Sequence, residues 1–523
     1  METMEKGRVL IIREQDFGRR HSINYGMAII ATILNERFDV KAIDNNSMYT
    51  SYSANDFIHV VSAFRPDVIC FSIATINAYT SYQTIEILKA KFPNLPIVAG
   101  GLHVSHKFEE ALKRKIDYVV RGEADLVITP LLEIIVNDKE DNPKEHINLS
   151  GVSFYRDNEL ISGGICPLPM DLDECSHIDY HLFNLSDYLK TQKDINIFGG
   201  FLTQRGCPFN CFFCSDIFIR TKIRYRSISN IMSEIEWLYS THGIDQICIN
   251  DADFNISDER VIGLCNEIRN RGFHEKIKFV VQSDSFRRLK LSTLRAMKAS
   301  GFGYMGIGLE RMEKTTRIRV NKKLNDKIVL ENLRNLKEIG FSVGVNYLTG
   351  FTFETEEKLQ FENRAFKEIL DKYVDIVSVG ILLPMPGTKD YEENSEIDKT
   401  WYLNPMLFPK YKPLFFSIRG ISFDPRAINV FSLNKRIVAE IVRTQNYFKA
   451  ESVKKKSYLL FILYRFLLVI AAVSEKLYDL NPRIEHAVFC PIKYLFENVS
   501  TKLVRFWFFH RNKDPQESKP QVS

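Results

Sequence analysis

Between Val9 and about Val136, short apolar runs alternate with longer stretches in which apolar positions recur every three or four residues. Runs without polar alternation predict strands buried on both faces, and the amphipathic stretches predict the helices that cover them, so the pattern specifies a parallel sheet. The predicted strands are residues 9–12, 39–43, 68–73, 97–99 and 118–120, and the predicted helices are 24–35, 55–63, 80–92, 106–114 and 125–136. This order predicts a flavodoxin-like doubly wound α/β domain over 1–140, whose ligands lie beyond the carboxyl ends of the strands.

Residues 138–194 are richer in polar residues and carry Pro143, the pair Gly163 and Gly164, and Pro167 and Pro169. They read as a linker over 141–195 with a small hairpin around 151–164. A second strand-helix series follows, with strands predicted at 200–203, 247–249, 278–282, 305–308, 342–348 and 376–382. Six parallel strands predict a partial (β/α)6 barrel over 196–420, with its active site at the carboxyl ends of the strands.

From about Arg426 the pattern changes to helices of mixed polarity, a helical region over 421–511. The apolar run 457–473 is interrupted by Arg465 and falls short of the roughly 20 residues a membrane span needs. Its basic flank Lys454–Lys456, its aromatic residues Tyr458, Phe461, Tyr464 and Phe466, and the stretch 502–511 with Phe506, Trp507, Phe508 and Phe509 suit a helix lying in a membrane interface. A buried cap over the barrel and a dimer contact are the other readings, and an apolar cap would enclose a hydrophobic substrate. The tail 512–523 has the composition of a disordered segment.

Composition narrows the field without naming a function. A formal charge of +5 over 523 residues, with Lys and Arg spread along the chain, gives no argument for nucleic acid. Nine cysteines are an odd number, and the chain opens without a charged-then-apolar leader, so the thiols are expected to be reduced and the protein cytoplasmic.

Cys207, Cys211 and Cys214 place three thiols within eight residues. A structural zinc site needs four protein ligands, and no second Cys-x-x-Cys pair occurs to complete one. A four-iron cluster held by three thiolates leaves one iron open to a small-molecule ligand. A disulfide, a buried cysteine cluster and a thiol redox pair are the alternatives.

The strand ends carry the remaining candidates. In the first domain they are Ser72 and Thr75, then Gly100, Gly101 and His103, then Arg121, Gly122 and Glu123, with glycines where a backbone could approach a bulky ligand. In the barrel they are Asp251 and Asp253, then Gln282 and Asp284, then Gly306, Gly308 and Glu310. Helix capping is the competing role for these acids. Arg224 and Arg226 could pair with a carboxylate or phosphate, or belong to a solvated face.

The spacing Cys-x3-Cys-x2-Cys, with Arg205-Gly206 ahead of it and Phe213 before the third cysteine, resembles the radical S-adenosylmethionine (radical SAM) superfamily. The segment Gly306-Ile-Gly-Leu-Glu310 resembles the superfamily segment whose glutamate closes on S-adenosylmethionine. The first domain, with Pro66-Asp67-Val68-Ile69 and its Gly-Gly-x-His and Arg-Gly-Glu loops, resembles the cobalamin-binding domain that precedes many radical SAM barrels. Pro384-Met-Pro386-Gly387-Thr388 matches the pattern of barrels fused to such domains.

The resemblance implies a [4Fe-4S] cluster on Cys207, Cys211 and Cys214. It implies S-adenosylmethionine near Gly308, Glu310, Asp251, Asp253 and Gln282, and cobalamin near Ser72, Thr75, Gly100, Gly101, His103, Arg121, Gly122 and Glu123. Two departures stand out. The loop 15–22 lacks the Asp-x-His-x-x-Gly that ligates cobalt from below, so a cobalt without a lower histidine is expected, and His103 is a hydrogen-bonding candidate at the cofactor edge. The turn 349–355 lacks the proline of the superfamily's glycine-proline-glutamate-threonine segment.

The function expected from the resemblance is methyl transfer to an unactivated carbon of a small molecule, driven by an external one-electron reductant. The apolar tail favours a hydrophobic substrate, composition gives no nucleic-acid partner, and a peripheral membrane contact through 421–511 is one of the readings of that region. A radical cyclase or oxidase of the porphyrin-cyclase type, and a non-catalytic iron-sulfur or corrinoid carrier, are the alternatives.

Overall fold

The computed structural model describes residues 6–403 except 16–22, 48–51, 138–142, 175–176, 184–196, 216–221, 285–286, 323, 350, 352, 354 and 394–397. The first sheet has the order β2-β1-β3-β4-β5-β6-β7, built from β1 (Arg8–Arg13), β2 (Asp39–Asp44), β3 (Val68–Ser72), β4 (Ile97–Gly100), β5 (Tyr118–Val120), β6 (Val152–Arg156) and β7 (Glu159–Ser162). β1 to β5 are parallel, as the apolar runs predict, with Val9, Leu10, Ile69, Val119 and their neighbours buried on both faces.

Helices α1 (Tyr25–Asn35), α2 (Ala54–Phe64), α3 (Ala78–Lys91), α4 (Leu102–His106), α5 (Phe108–Lys113) and α6 (Ile128–Asn137) alternate with these strands. Local chemistry sets their starts. Asn24 accepts from the Met27 amide at the head of α1, and Ser53 with Asp56 forms a capping box on α2.

Within 141–195 the hairpin expected around 151–164 is present. The predicted hairpin is β6 and β7, and it extends the first sheet antiparallel from β5. It thereby covers the edge that β5 would otherwise present to solvent. The helix predicted over 106–114 is α5, and a short helix absent from the prediction precedes it, because Gly101, at φ 107°, lets α4 begin directly after β4, and Lys107 breaks the path before α5.

The second sheet is β15-β14-β13-β12-β11-β8, all parallel: β8 (Ile197–Phe201), β11 (Gln246–Ile249), β12 (Lys278–Asp284), β13 (Phe302–Glu310), β14 (Ser342–Thr349) and β15 (Ile376–Ile381). All six predicted strands are present, and the sheet opens between β8 and β15. A two-stranded antiparallel ribbon, β9 (Gln204–Arg205) with β10 (Arg224–Tyr225), stands outside it. Along β13 the residues Met305, Ile307 and Leu309 are buried in the layer shared with the helices. By the period of two, Tyr304, Gly306, Gly308 and Glu310 take the opposite face.

Beyond the barrel the chain returns to the first domain. Trp401 and Tyr402 are fully buried in the same apolar core as Leu10, Phe57 and Tyr82, and the Trp401 indole donates to the Pro384 carbonyl at 2.9 Å. No helix among the described residues is long and apolar enough to cross a membrane. The predicted helical region 421–511 and the tail 512–523 lie outside the described residues.

Candidate active site

The cysteine loop emerges from β9 and returns through β10. Gly206, at φ 103°, makes the first turn, where a Cβ would come within 2.7 Å of the Lys222 carbonyl oxygen. The loop is seated by the Phe212 amide on the Val320 carbonyl at 3.0 Å and by the Asn321 side chain on the Asn210 carbonyl at 2.6 Å. Phe213 packs edge-on against Phe351, in a small apolar cluster with Val320 and Leu382.

The seven described cysteines, the triplet included, are thiols, which removes the disulfide reading for Cys207, Cys211 and Cys214. Burial pushes the Cys211 thiol up to about 11, while the Lys322 ammonium draws it down and the neighbouring Cys214, Cys207 and Glu310 raise it. Among the described residues no three His, Cys, Asp or Glu converge as a single metal ion requires. A cubane asks for something else, since each of its thiolates binds a separate iron. Three half-buried thiols on one loop suit that donor set.

Glu310 closes β13 beside this loop. Its backbone is left-handed at φ 60°, a conformation that costs a non-glycine residue about 1–3 kcal/mol and is common at functional sites. Lys322, which the sequence reading missed, is 6% exposed and holds its Nζ 3.7 Å from Glu310 Oε1. Burial raises the Glu310 carboxyl, and Lys322 opposes the shift. Gly308 leaves room for this pair, since a Cβ there would lie 3.1 Å from Lys322 Nζ. Behind them Arg311 and Glu362 form an ion pair with both side chains fully buried, and Glu362 also accepts from the Met312 and Glu313 amides.

A cavity of about 430 Å³ opens between these groups. Phe213, Cys214, Ser215 and Glu310 form one side, and Asn346, Leu348, Leu382 and Met385 line much of the rest. The volume falls in the range of small-molecule sites, which start at roughly 300 Å³.

The other barrel candidates are placed differently. Asp251 is 2% exposed and accepts from the Thr203 amide at 2.7 Å, the Gln204 amide at 3.2 Å and the Thr203 hydroxyl. Asp253 is fully buried, pairs with Arg287 and accepts from the Ser283 hydroxyl at 3.2 Å. Both carboxylates thus hold the start of the cysteine ribbon and the end of β12. Gln282 is exposed at the end of β12, opposite Gly306. Arg226 pairs with buried Glu234 and donates to the Leu202 carbonyl, so it belongs to neither a ligand nor a solvated face.

In the first domain, Gly100 has no neighbour nearer than 3.8 Å to its Cβ position. At Gly101 a Cβ would meet the Ile73 carbonyl oxygen at 2.6 Å. One glycine keeps space open and the next permits the close turn, a cradle suited to a bulky ligand such as a corrin. Ser72 and Thr75 lie on the adjoining strand end.

His103, the hydrogen-bonding candidate at the cofactor edge, is fully buried. Its Nδ1 lies 3.2 Å from the Thr75 hydroxyl oxygen, its ring packs edge-on against Tyr402, and burial lowers its pKa. Arg121 lies over the Phe108 ring, 4.0 Å from its centroid, and its Nε donates to the Ser105 carbonyl. The Ser105 hydroxyl accepts from the Gly122 amide at 3.0 Å. Glu123 turns away from the cradle towards Arg205 and Arg224.

The two halves meet beside the cysteine loop. The His106 imidazole is hydrogen-bonded to the Ser215 backbone, and it packs so closely on Gly387 that any side chain there would collide with the ring.

Comparison with known proteins agrees with this division. The radical SAM superfamily profile matches residues 201–362, and the B12 binding domain profile matches residues 21–132. An uncharacterized methyltransferase of Pyrococcus horikoshii is 26% identical over 404 residues, covering 76% of this chain and 84% of that protein. The anaerobic magnesium-protoporphyrin IX monomethyl ester cyclase of Cereibacter sphaeroides is 24% identical over 383 residues, covering 71% of this chain and 61% of the cyclase. Among solved structures, the cobalamin-dependent S-adenosylmethionine radical enzyme OxsB, with aqua-cobalamin and S-adenosylmethionine bound, superposes with a TM-score of 0.64 at 14% identity. That superposition covers 96% of this chain and 84% of OxsB, and it establishes a shared fold.

Proposed function

We propose that this chain, which belongs to the radical SAM superfamily and carries a B12 binding domain ahead of its barrel, transfers a methyl group to an unactivated carbon of a small hydrophobic molecule. Its cofactors are a [4Fe-4S] cluster, S-adenosylmethionine and cobalamin. When bound, the cluster with S-adenosylmethionine would supply radical chemistry at an unactivated carbon, and cobalamin would supply the methyl group.

The carrying observation is one cavity lined by both Cys214 and Glu310, beside which α4 of the first domain ends at His106. Cys207, Cys211 and Cys214 hold the cluster. Glu310 and Lys322 are the opposite charges available to the amino and carboxylate groups of S-adenosylmethionine. Both are largely buried, where charge-assisted hydrogen bonds are strong, and the Arg311–Glu362 pair fixes the strand end that presents Glu310. Phe213, Leu348, Leu382 and Met385 give the cavity its apolar wall on the reacting side. Ser72, Thr75, Gly100, Gly101 and Gly122 shape the corrin cradle, with His103 acting on it through Thr75.

The apolar share of the lining favours a hydrophobic substrate, and an external one-electron donor is required to reduce the cluster. The similarity to a porphyrin ring cyclase keeps ring closure as the second reading. The mass of the product separates the two: a gain of one methylene supports methylation, and a loss of hydrogens or a gain of oxygen supports the cyclase.

A further inference from the structure

The base of the cysteine loop is held from the other domain. In the ribbon of β9 and β10, Arg205 and Arg224 are directly paired across the strands. Like charges in that position destabilise a two-stranded ribbon. Here two carboxylates from the loop after β5 separate them. Glu123 reaches Arg205 Nη1 at 2.8 Å, Arg224 Nη1 at 3.0 Å and Arg224 Nη2 at 2.5 Å, and Asp125 reaches Arg205 Nη1 at 2.9 Å. The four side chains are between 1% and 14% exposed, so solvent screens the network little.

Arg205 lies two residues before Cys207, and the same loop that carries Glu123 begins with Arg121 and Gly122 at the end of β5. One five-residue segment therefore adjoins the corrin cradle at one end and closes the base of the cysteine loop at the other. We propose that Glu123 is a positioning residue that sets the separation between corrin and cluster by clamping the Arg205–Arg224 ribbon to the first domain. The spacing claim rests on the functional reading above, and the clamp itself does not. Removing the charge from Glu123 leaves Arg205 on Asp125 and takes from Arg224 the carboxylate that ties it to Arg205, so the ribbon loosens while the barrel strands remain.

Hydrogen exchange on protein without cofactors tests the clamp. In Glu123→Gln, amides of residues 204–207 should exchange about a hundredfold faster, with peptides from β13 and β14 unchanged as the control for folding. Glu123→Asp, which keeps the charge, should recover part of the protection. Unchanged exchange in 204–207, or equal loss of protection in β13 and β14, would overturn the clamp.

The spacing is read from the magnetic coupling between cob(II)alamin and the reduced cluster in frozen, loaded protein. Glu123→Gln should broaden or weaken that coupling at unchanged cofactor content. An unaltered coupling would overturn the positioning role. Wild-type protein that takes up neither cofactor would overturn the functional reading and the spacing claim with it.

Discussion

Lys322 Nζ lies 3.7 Å from Glu310 Oε1, with both side chains largely buried beside Cys211. An ammonium and a carboxylate in that position offer complementary partners to an amino acid carboxylate and amine. Glu310→Gln and Lys322→Met should each weaken S-adenosylmethionine binding roughly 10- to 100-fold, the loss expected for one hydrogen bond to a charged group. Equilibrium dialysis on reconstituted protein checks this, with iron content unchanged in both variants.

Cys211→Ala should lower iron from about four atoms per chain to a small residue, because two thiolates do not hold a cubane. Iron and sulfide analysis after anaerobic reconstitution measures it. A retained cluster spectrum would remove Cys211 from the ligand set.

The two domains differ in how openly the sequence declares them. Strands β1 to β5 and the six barrel strands are legible because buried parallel strands are short unbroken apolar runs, such as residues 9–12 and 97–99. The β6–β7 hairpin is legible as a hairpin, but its pairing with β5 is a tertiary fact that the local pattern does not carry. The cysteine triplet and Glu310 are legible as motifs, whereas Lys322 looks like any surface lysine until the fold buries it. Glu123 is the clearest limit: Arg205 and Arg224 lie 82 and 101 residues away, and no local pattern announces that they converge on it.

Gly101→Ala should destabilise the first domain by about 1–3 kcal/mol, given a φ of 107° and a Cβ 2.6 Å from the Ile73 carbonyl oxygen. Cobalamin retention on gel filtration should fall with it. Denaturant unfolding and the corrinoid absorbance of the purified variant report the two effects separately.

Glu362→Gln removes the charge that balances the Arg311 guanidinium in a site where neither side chain is exposed. Breaking a buried pair from one side costs about 3–5 kcal/mol, and replacing both partners with apolar residues recovers only part of it, because the Met312 and Glu313 amides then lose their acceptor. Denaturant unfolding of Glu362→Gln against the double variant Arg311→Met/Glu362→Leu checks the difference.

Burial raises the Asp251 carboxyl to about 6 from a usual 3.8. The folded protein therefore keeps a proton that the unfolded chain has released between these values. The stabilisation is complete below about pH 3.8 and is lost as pH rises through about 6. Asp251→Asn should remove this slope, so the difference in unfolding free energy between variant and wild type should change between about pH 4 and 6 and be flat above about 7. Urea titrations across that range measure it.

The most direct measurement is the fate of S-adenosylmethionine on anaerobically reconstituted protein carrying cluster and cobalamin, after addition of a one-electron reductant. Liquid chromatography should find 5′-deoxyadenosine with the wild type and none with Cys211→Ala. A wild-type protein with about four irons and one cobalamin per chain that forms no 5′-deoxyadenosine would contradict the assignment.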